Sequence, residues 1–382
     1  MSSQLSVESD SNADNLEPPP LILIKKEQDW KQILRRSISL PKDISRISGL
    51  SLESAEKICS KYPARINPYY LSLIKKRGDS IYKQCIPCEK ELEDLQGEED
   101  PLYEEPEHQV RKNVPSLLTH RYPDRVLFRI SNQCAMYCRF CTRKRKVGDE
   151  TKQPTPSEIK KALMYIAEHR EIRDVLLSGG DPLMLSDIFL EKIINAVYEI
   201  LKSRNNSIIR IGTRIPCVLP QRITPELCEM LKKYHPIYIN THFNHPDEIT
   251  EESKKACALL VDAGIPLGCQ TVLLKDVNDK PEIMKELMQK LVSIRVRPYY
   301  IYQADPVKGT NHFRTKVEEG LKIYEKLRGH TSGLCVPAYI IDAPGGGGKV
   351  PIVPKYLQSI NSDEVVLKNY EGKLFKYPQV KE

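Results

Sequence analysis

Three cysteines, Cys134, Cys138 and Cys141, stand four and three residues apart on what reads as one short loop. Thiolates at that spacing can converge on an iron–sulfur cube. A [4Fe–4S] cube has four irons, so three cysteines leave one iron open to a substrate or cofactor. A closed structural zinc site wants four ligands, usually as two separated pairs. The chain carries 11 cysteines and no secretion signal, which favours reduced, metal-ligating thiols over disulfides.

Two further motifs have chemistry in them. In Ser178-Gly179-Gly180-Asp181, two glycines allow the backbone to approach a ligand and the acid can meet an ammonium. In Asp342-Ala343-Pro344-Gly345-Gly346-Gly347-Gly348-Lys349, four glycines can wrap a small anion. This is not a P-loop, because the spacing differs and no Ser or Thr follows the lysine. A lysine on a mobile glycine tether suits a Schiff base with pyridoxal phosphate (PLP).

Elements that could position these groups follow from periodicity. Short β-rich runs at 126–131, 175–177, 208–213, 237–243, 267–274 and 298–303 alternate with amphipathic helices. The helices read at 157–169, 187–203, 225–234, 251–263, 281–294 and 316–327. Six such units predict parallel strands with helical crossovers, an α/β fold of the partial (β/α)6, TIM-like kind. A seventh strand at 338–343 and a short β-rich segment are expected to cover one opening. Chemistry in such a barrel belongs at the C-terminal ends of the strands, where all three motifs fall. The chain divides into a disordered tail at 1–20, a helical region with an acidic, loose connector at 21–115, the barrel at 116–335, and a closing segment at 336–382.

The 382 residues include 58 basic and 51 acidic side chains, a net charge of +7. The densest basic run, Arg139 with Arg143 to Lys146, follows the cysteines and has no matching stripe elsewhere. That favours small anionic ligands near the cluster over nucleic acid. A polar N-terminus and the lack of an apolar run near 18 residues predict a cytoplasmic protein without a membrane span.

Phe140, just before the last cysteine, makes the loop resemble that of the radical S-adenosylmethionine (SAM) enzymes. From about Asp100 to Asn369 the chain resembles the lysine 2,3-aminomutase family, PLP-dependent radical SAM isomerases. The resemblance is carried by His120 to Arg125, the cysteine loop with Thr142-Arg143, Arg210 to Arg214, Asn240 to Pro246, His312 to Thr315, Leu327 to Gly333 and Asp342 to Lys349. It implies that Cys134, Cys138 and Cys141 hold a [4Fe–4S] cluster whose open iron binds SAM, and that Lys349 is the PLP lysine. Arg121 and Tyr122 are implied as PLP contacts. Ser178, Gly179, Gly180 and Asp181 are implied around the methionine amino group, with His242 and Gln270 near SAM. Arg143 is implied at the substrate carboxylate, and Asp305 and Asp342 at the distal ammonium of lysine.

The implied reaction moves the amino group of L-lysine from C2 to C3, giving β-lysine. The alternatives within the family are another amino acid, such as glutamate, or a protein-bound lysine. The implied partners are an electron donor such as ferredoxin or flavodoxin and further copies of the chain. Family members of the best-known type bind zinc through C-terminal cysteines. No cysteine follows Cys335 and Lys280 occupies the place of the remaining ligand, so no such zinc is expected. Cys85 and Cys88 form a lone CxxC, and the other six cysteines read as core thiols.

Overall fold

The computed structural model describes residues 29–380, so the expected disordered tail lies outside the described residues. Seven strands run parallel: β2 (Arg125–Ser131), β3 (Asp174–Gly179), β4 (Ile208–Gly212), β5 (Ile237–Thr241), β6 (Leu267–Leu273), β7 (Arg297–Gln303) and β8 (Ala338–Ala343). β1 (Leu118–Tyr122) and β9 (Gly348–Pro351) pair antiparallel at the two edges, and the strand order in the sheet, β1 through β9, follows the order along the chain. β1 and β9 form no backbone ladder with each other, so the barrel is partial.

The crossover helices begin where local chemistry starts them. Thr155 caps α6 (Pro156–Glu168) in a capping box with Glu158, and Ser186 caps α7 (Asp187–Leu201). After the one-turn α8 (Ile215–Val218), Thr224 and Thr250 cap α9 (Pro225–Lys232) and α10 (Glu251–Asp262). Proline occupies the first turn of α6, α9 and α11 (Pro281–Ser293). The last crossover is α12 (Val317–Leu327). In α7, Leu190, Ile193, Ile194, Val197 and Leu201 are buried, a helical stripe facing the sheet.

Period-two alternation then sorts each strand. Phe128, Val175, Leu177, Ile209, Ile211 and Ile239 belong to the hydrophobic core, whereas Ser178, Arg210, Asn240, Gln270 and Tyr302 line the barrel interior. One face holds the sheet to its helices and the other is left for polar work.

Among the described residues, five short α-helices precede the barrel: α1 (Trp30–Arg35), α2 (Pro41–Ser48), α3 (Leu52–Lys61), α4 (Pro68–Leu71) and α5 (Ser80–Cys85). They support the cysteine loop directly. Tyr137 N–H donates to Arg65 O, Arg139 N–H donates to Gln84 O, and Asn67 Nδ2 donates to Ala135 O.

The acidic connector is not loose. Glu91 is buried against Arg139 and Lys144, and Asp94 accepts N–H bonds from Gln96, Gly97, Gly309, Thr310 and Asn311. Asp100 pairs with Arg145, and Glu105 pairs with Arg145 and Lys146. The acidic run and the basic run after the cysteines are therefore complementary halves of one layer. A local reading takes the acidic run as a loose connector and the basic run as a site for small anions, because their pairing depends on residues some 40 positions apart.

The C-terminal strands β10 (Leu357–Ile360), β11 (Glu364–Lys368) and β12 (Leu374–Pro378) form a separate antiparallel sheet. It packs through Tyr370 against Gly329 and His330, just after α12, while the seventh strand extends the barrel sheet rather than covering an opening. No helix among the described residues is long and apolar enough to cross a membrane.

Candidate active site

A cavity of about 570 Å³ opens inside the barrel, and every residue implied above at a cofactor or at the substrate borders it. The three cysteines and Arg143 follow β2, and Ser178 to Asp181 follow from the end of β3. His242 lies just after β5, Gln270 on β6 and Asp305 just after β7. Asp342 is on β8, Lys349 on β9, and Arg121 and Tyr122 end β1. Residues scattered over more than 200 positions share one space.

The cysteine loop is held by backbone packing. Gly179 has φ +124°, and a Cβ there would sit 2.1 Å from Ser131 O; a Cβ at Gly180 would sit 2.6 Å from the Asn132 carbonyl carbon. These glycines let β3 lie against the cysteine loop itself, so their first service is to the loop and not to a ligand. The Asp181 carboxylate accepts from Thr213 Oγ1, Arg214 N–H and Leu183 N–H, which fixes it at the cavity with about one acceptor position left.

The donor set fits a cluster. The three thiols are half-buried and face the cavity, and Arg214 Nη1 lies 2.8 Å from Cys138 Sγ, supplying positive charge beside an anionic centre. Burial and the neighbouring thiol push Cys141 up to about 11, so its thiolate forms at neutral pH only with metal. No three His, Cys, Asp or Glu side chains among the described residues gather around a single-ion point. A cube does not ask for that, because its thiolates bind different irons. Cys85 and Cys88 likewise find no such set; Cys85 is buried and Cys88 lies 3.6 Å from His312 Nε2.

His242 is kept neutral, its value pushed down to about 3 by burial and by Arg214. Its Nε2 faces Asn244 Oδ1 at 2.9 Å, and that oxygen also accepts Val272 N–H. Nε2 therefore carries the proton, and Nδ1 is an acceptor.

Across the cavity, Lys349 is not on a mobile tether. The tetraglycine run makes the turn of the β8–β9 hairpin, with φ of +69°, +77° and +82° at Gly345, Gly346 and Gly348. Lys349 itself is in β9, paired with Asp342, and its N–H donates to Tyr122 Oη at 2.9 Å. Only its four-carbon side chain can swing. Lys349 Nζ meets Asp342 Oδ2 at 2.6 Å, and Arg121 Nη1 meets Asp342 Oδ1 at 2.9 Å. Tyr122–Lys349 and Arg121–Asp342 thus bridge the gap between the barrel's unpaired edges. The amine of Lys349 borders the cavity, with Arg121 and Tyr122 beside it, and an amine there fits the aldehyde of PLP.

Arg143 is engaged. Glu104, from the connector, takes its Nε and Nη2 at 2.7 Å each, and Nη1 donates to Gly179 O at 3.1 Å. Glu104 and Arg214 are the two site groups that sequence reasoning passed over. Glu104 sat in what read as an acidic linker, and Arg214 within a stretch quoted only for its resemblance.

A model of the radical SAM superfamily matches residues 128–288, and a lysine-2,3-aminomutase model matches residues 324–382. The L-lysine 2,3-aminomutase of Methanococcus maripaludis is 54% identical over 359 residues, 91% of this chain and 81% of that one. The chain belongs to the lysine 2,3-aminomutase family. The Clostridium subterminale L-lysine 2,3-aminomutase is 52% identical, covering 92% of this chain and 84% of its own. A glutamate 2,3-aminomutase of Clostridioides difficile is 47% identical over 93% and 84%. As a lysine 2,3-aminomutase family member the chain is an isomerase, and the radical SAM superfamily carries a [4Fe–4S] cluster and SAM with it.

Proposed function

We propose that the chain converts L-lysine to L-β-lysine (3,6-diaminohexanoate) with PLP as second cofactor. The observation that carries this reading is the shared cavity of the cysteine triplet and Lys349, with the acid pair Asp305 and Asp342 beside the lysine. Cluster and SAM would supply radical hydrogen abstraction, and PLP would supply an electron-accepting π-system for the amino migration. Cys134, Cys138 and Cys141 would hold the cluster. Lys349 would hold PLP, with Arg121 and Tyr122 fixing that edge of the barrel. Backbone at Ser178 to Gly180, with His242 and Gln270, would surround SAM. Arg143 binds the substrate carboxylate as a planar two-pronged donor. The remaining work of the chain is to orient the amino acid and exclude stray hydrogen donors.

Lysine is favoured over glutamate by the two acids, since a buried distal cation needs opposite charge. The division at residues 116 and 335, a cytoplasmic location, homo-oligomers and a ferredoxin- or flavodoxin-like electron donor belong to the same proposal. Protein reconstituted anaerobically with iron, sulfide, PLP, SAM and a reductant should form β-lysine from lysine. Formation of β-glutamate from glutamate, with lysine returned unchanged, overturns the lysine assignment.

Asp305 adds a pH dependence. Burial, then the negative charge of Asp342, push its carboxyl up to about 7. It is neutral below that pH and charged above it, and the substrate ammonium requires the charge. The KM for lysine is expected to fall about tenfold from pH 6 to 8. Asp305→Asn should raise KM and flatten the profile; a wild-type KM that does not move over this range refutes the role.

A further inference from the structure

We propose that Glu104 is a positioning residue for substrate binding: it grips one edge of the Arg143 guanidinium so that the other edge is presented to the substrate carboxylate. The inference rests on the reading of Arg143 as the carboxylate-binding arginine.

A guanidinium has two edges that can receive a carboxylate in the two-pronged manner, one formed by Nε and Nη2 and one by Nη1 and Nη2. Glu104 occupies the first with two bonds of 2.7 Å. Nη1 donates to the Gly179 carbonyl at 3.1 Å, which ties the terminal edge to the end of β3 beside the cysteine loop. Both side chains border the cavity. On the terminal edge Nη1 also reaches Ser178 Oγ at 3.4 Å, the longest of these bonds, so a second carboxylate would take the free Nη2 proton and displace Ser178.

Glu104 could instead be a plug that the substrate must displace, and three observations speak against it. Its backbone is fixed on both sides, with its N–H donating to Asp100 Oδ1 at 3.1 Å and its carbonyl accepting Gln109 Nε2 at 3.2 Å. Its residue is only 7% exposed, so a displaced carboxylate would be stranded in a buried place without its partner. Asp100, which anchors it, is itself held by Arg145 at 2.8 Å. Nothing around Glu104 is arranged for it to leave. A fixed carboxylate also removes rotamer freedom from Arg143 before the substrate arrives, which lowers the ordering cost of binding.

The test uses the reconstituted holoenzyme with Glu104→Gln, Glu104→Asp and Arg143→Gln. For each, kcat and KM are measured with lysine and with lysinamide, whose amide carries no charge, and iron content and melting temperature are recorded. A glutamine offers Arg143 one acceptor instead of two. Glu104→Gln should raise the lysine KM about tenfold with kcat changed less than about threefold, and should leave the lysinamide KM near wild type. Glu104→Asp, which keeps the charge, should recover part of the loss. A lower lysine KM in Glu104→Gln would establish the plug and overturn the proposal, as would an unchanged KM or equal losses for both compounds. If Arg143→Gln raises the lysine KM while Glu104→Gln does not, this proposal alone fails. If Arg143→Gln leaves it unchanged, the underlying reading of the site fails. Should Glu104→Gln not fold, the ratio of lysine to lysinamide KM in Glu104→Asp decides: unchanged from wild type, it overturns the proposal.

Discussion

Replacing Lys349 by alanine is expected to cut β-lysine formation by about a thousandfold or more while leaving the iron content unchanged. The separation of the two effects follows from geometry. Lys349 belongs to β9, and its backbone N–H bond to Tyr122 does not need the side chain. Asp342 keeps Arg121 when the ammonium is removed, so no buried acid is orphaned. The cysteines are on the opposite side of the sheet order, after β2, and lose no partner. What disappears is the amine through which PLP is held. The checks are the cofactor absorbance, iron analysis and amino-acid product analysis of one preparation. Lys349→Arg should behave like alanine, because a guanidinium stays protonated and does not condense with an aldehyde. Retention of a bound PLP band with turnover within tenfold of wild type would remove Lys349 from the mechanism.

The second large effect is on stability. Glu91→Ala is expected to destabilise the fold by about 3–5 kcal/mol, since breaking a buried pair leaves its other half uncompensated. Here two cations depend on the same carboxylate. Arg139 Nε donates to Glu91 Oε1 at 3.0 Å, and Lys144 Nζ meets Oε2 at 2.6 Å, with all three side chains almost wholly buried. Burial raises the Glu91 carboxyl, but Arg139 and Lys144 outweigh it and hold the group below the usual range. Its contribution is therefore present at neutral pH and is lost as pH falls through that depressed value. Arg139 stands between Cys138 and Phe140, so the same change should reduce iron retention. A drop in Tm of roughly 4–6 °C corresponds to this energy in a chain of this length. Calorimetry that finds Glu91→Ala melting within two or three degrees of wild type would show that the connector does not anchor the cysteine loop.

Much of this molecule was legible one segment at a time. The six strand–helix units fall within a few residues of their expected bounds, because alternation and capping are local signals that the structure reproduces at Thr155, Ser186, Thr224 and Thr250. The edge strands were not legible. β1 reads Leu-Thr-His-Arg-Tyr and β9 reads Gly-Lys-Val-Pro, neither of which has the apolar pattern of a strand. Each is a strand because a neighbour supplies its hydrogen bonds, and propensity yields to that context. The scaffold contacts of Asp181 and Gly179 were not legible, since a motif gives residue types but not the groups that will face them.

The sequence by itself determined the chemistry available: three thiols for an open cluster, a lysine after four glycines, an arginine and acids at strand ends, all on the working face of an α/β barrel. Local patterns suffice for that, because ligand spacing and strand periodicity are set by neighbours along the chain. Only the tertiary structure decided how these groups are charged and held. It set Lys349 and Arg121 on Asp342, Arg214 on Cys138, and Glu104 on Arg143. Those pairings depend on distance in space, where burial weakens solvent screening and opposite charges must find each other, and no linear spacing encodes them.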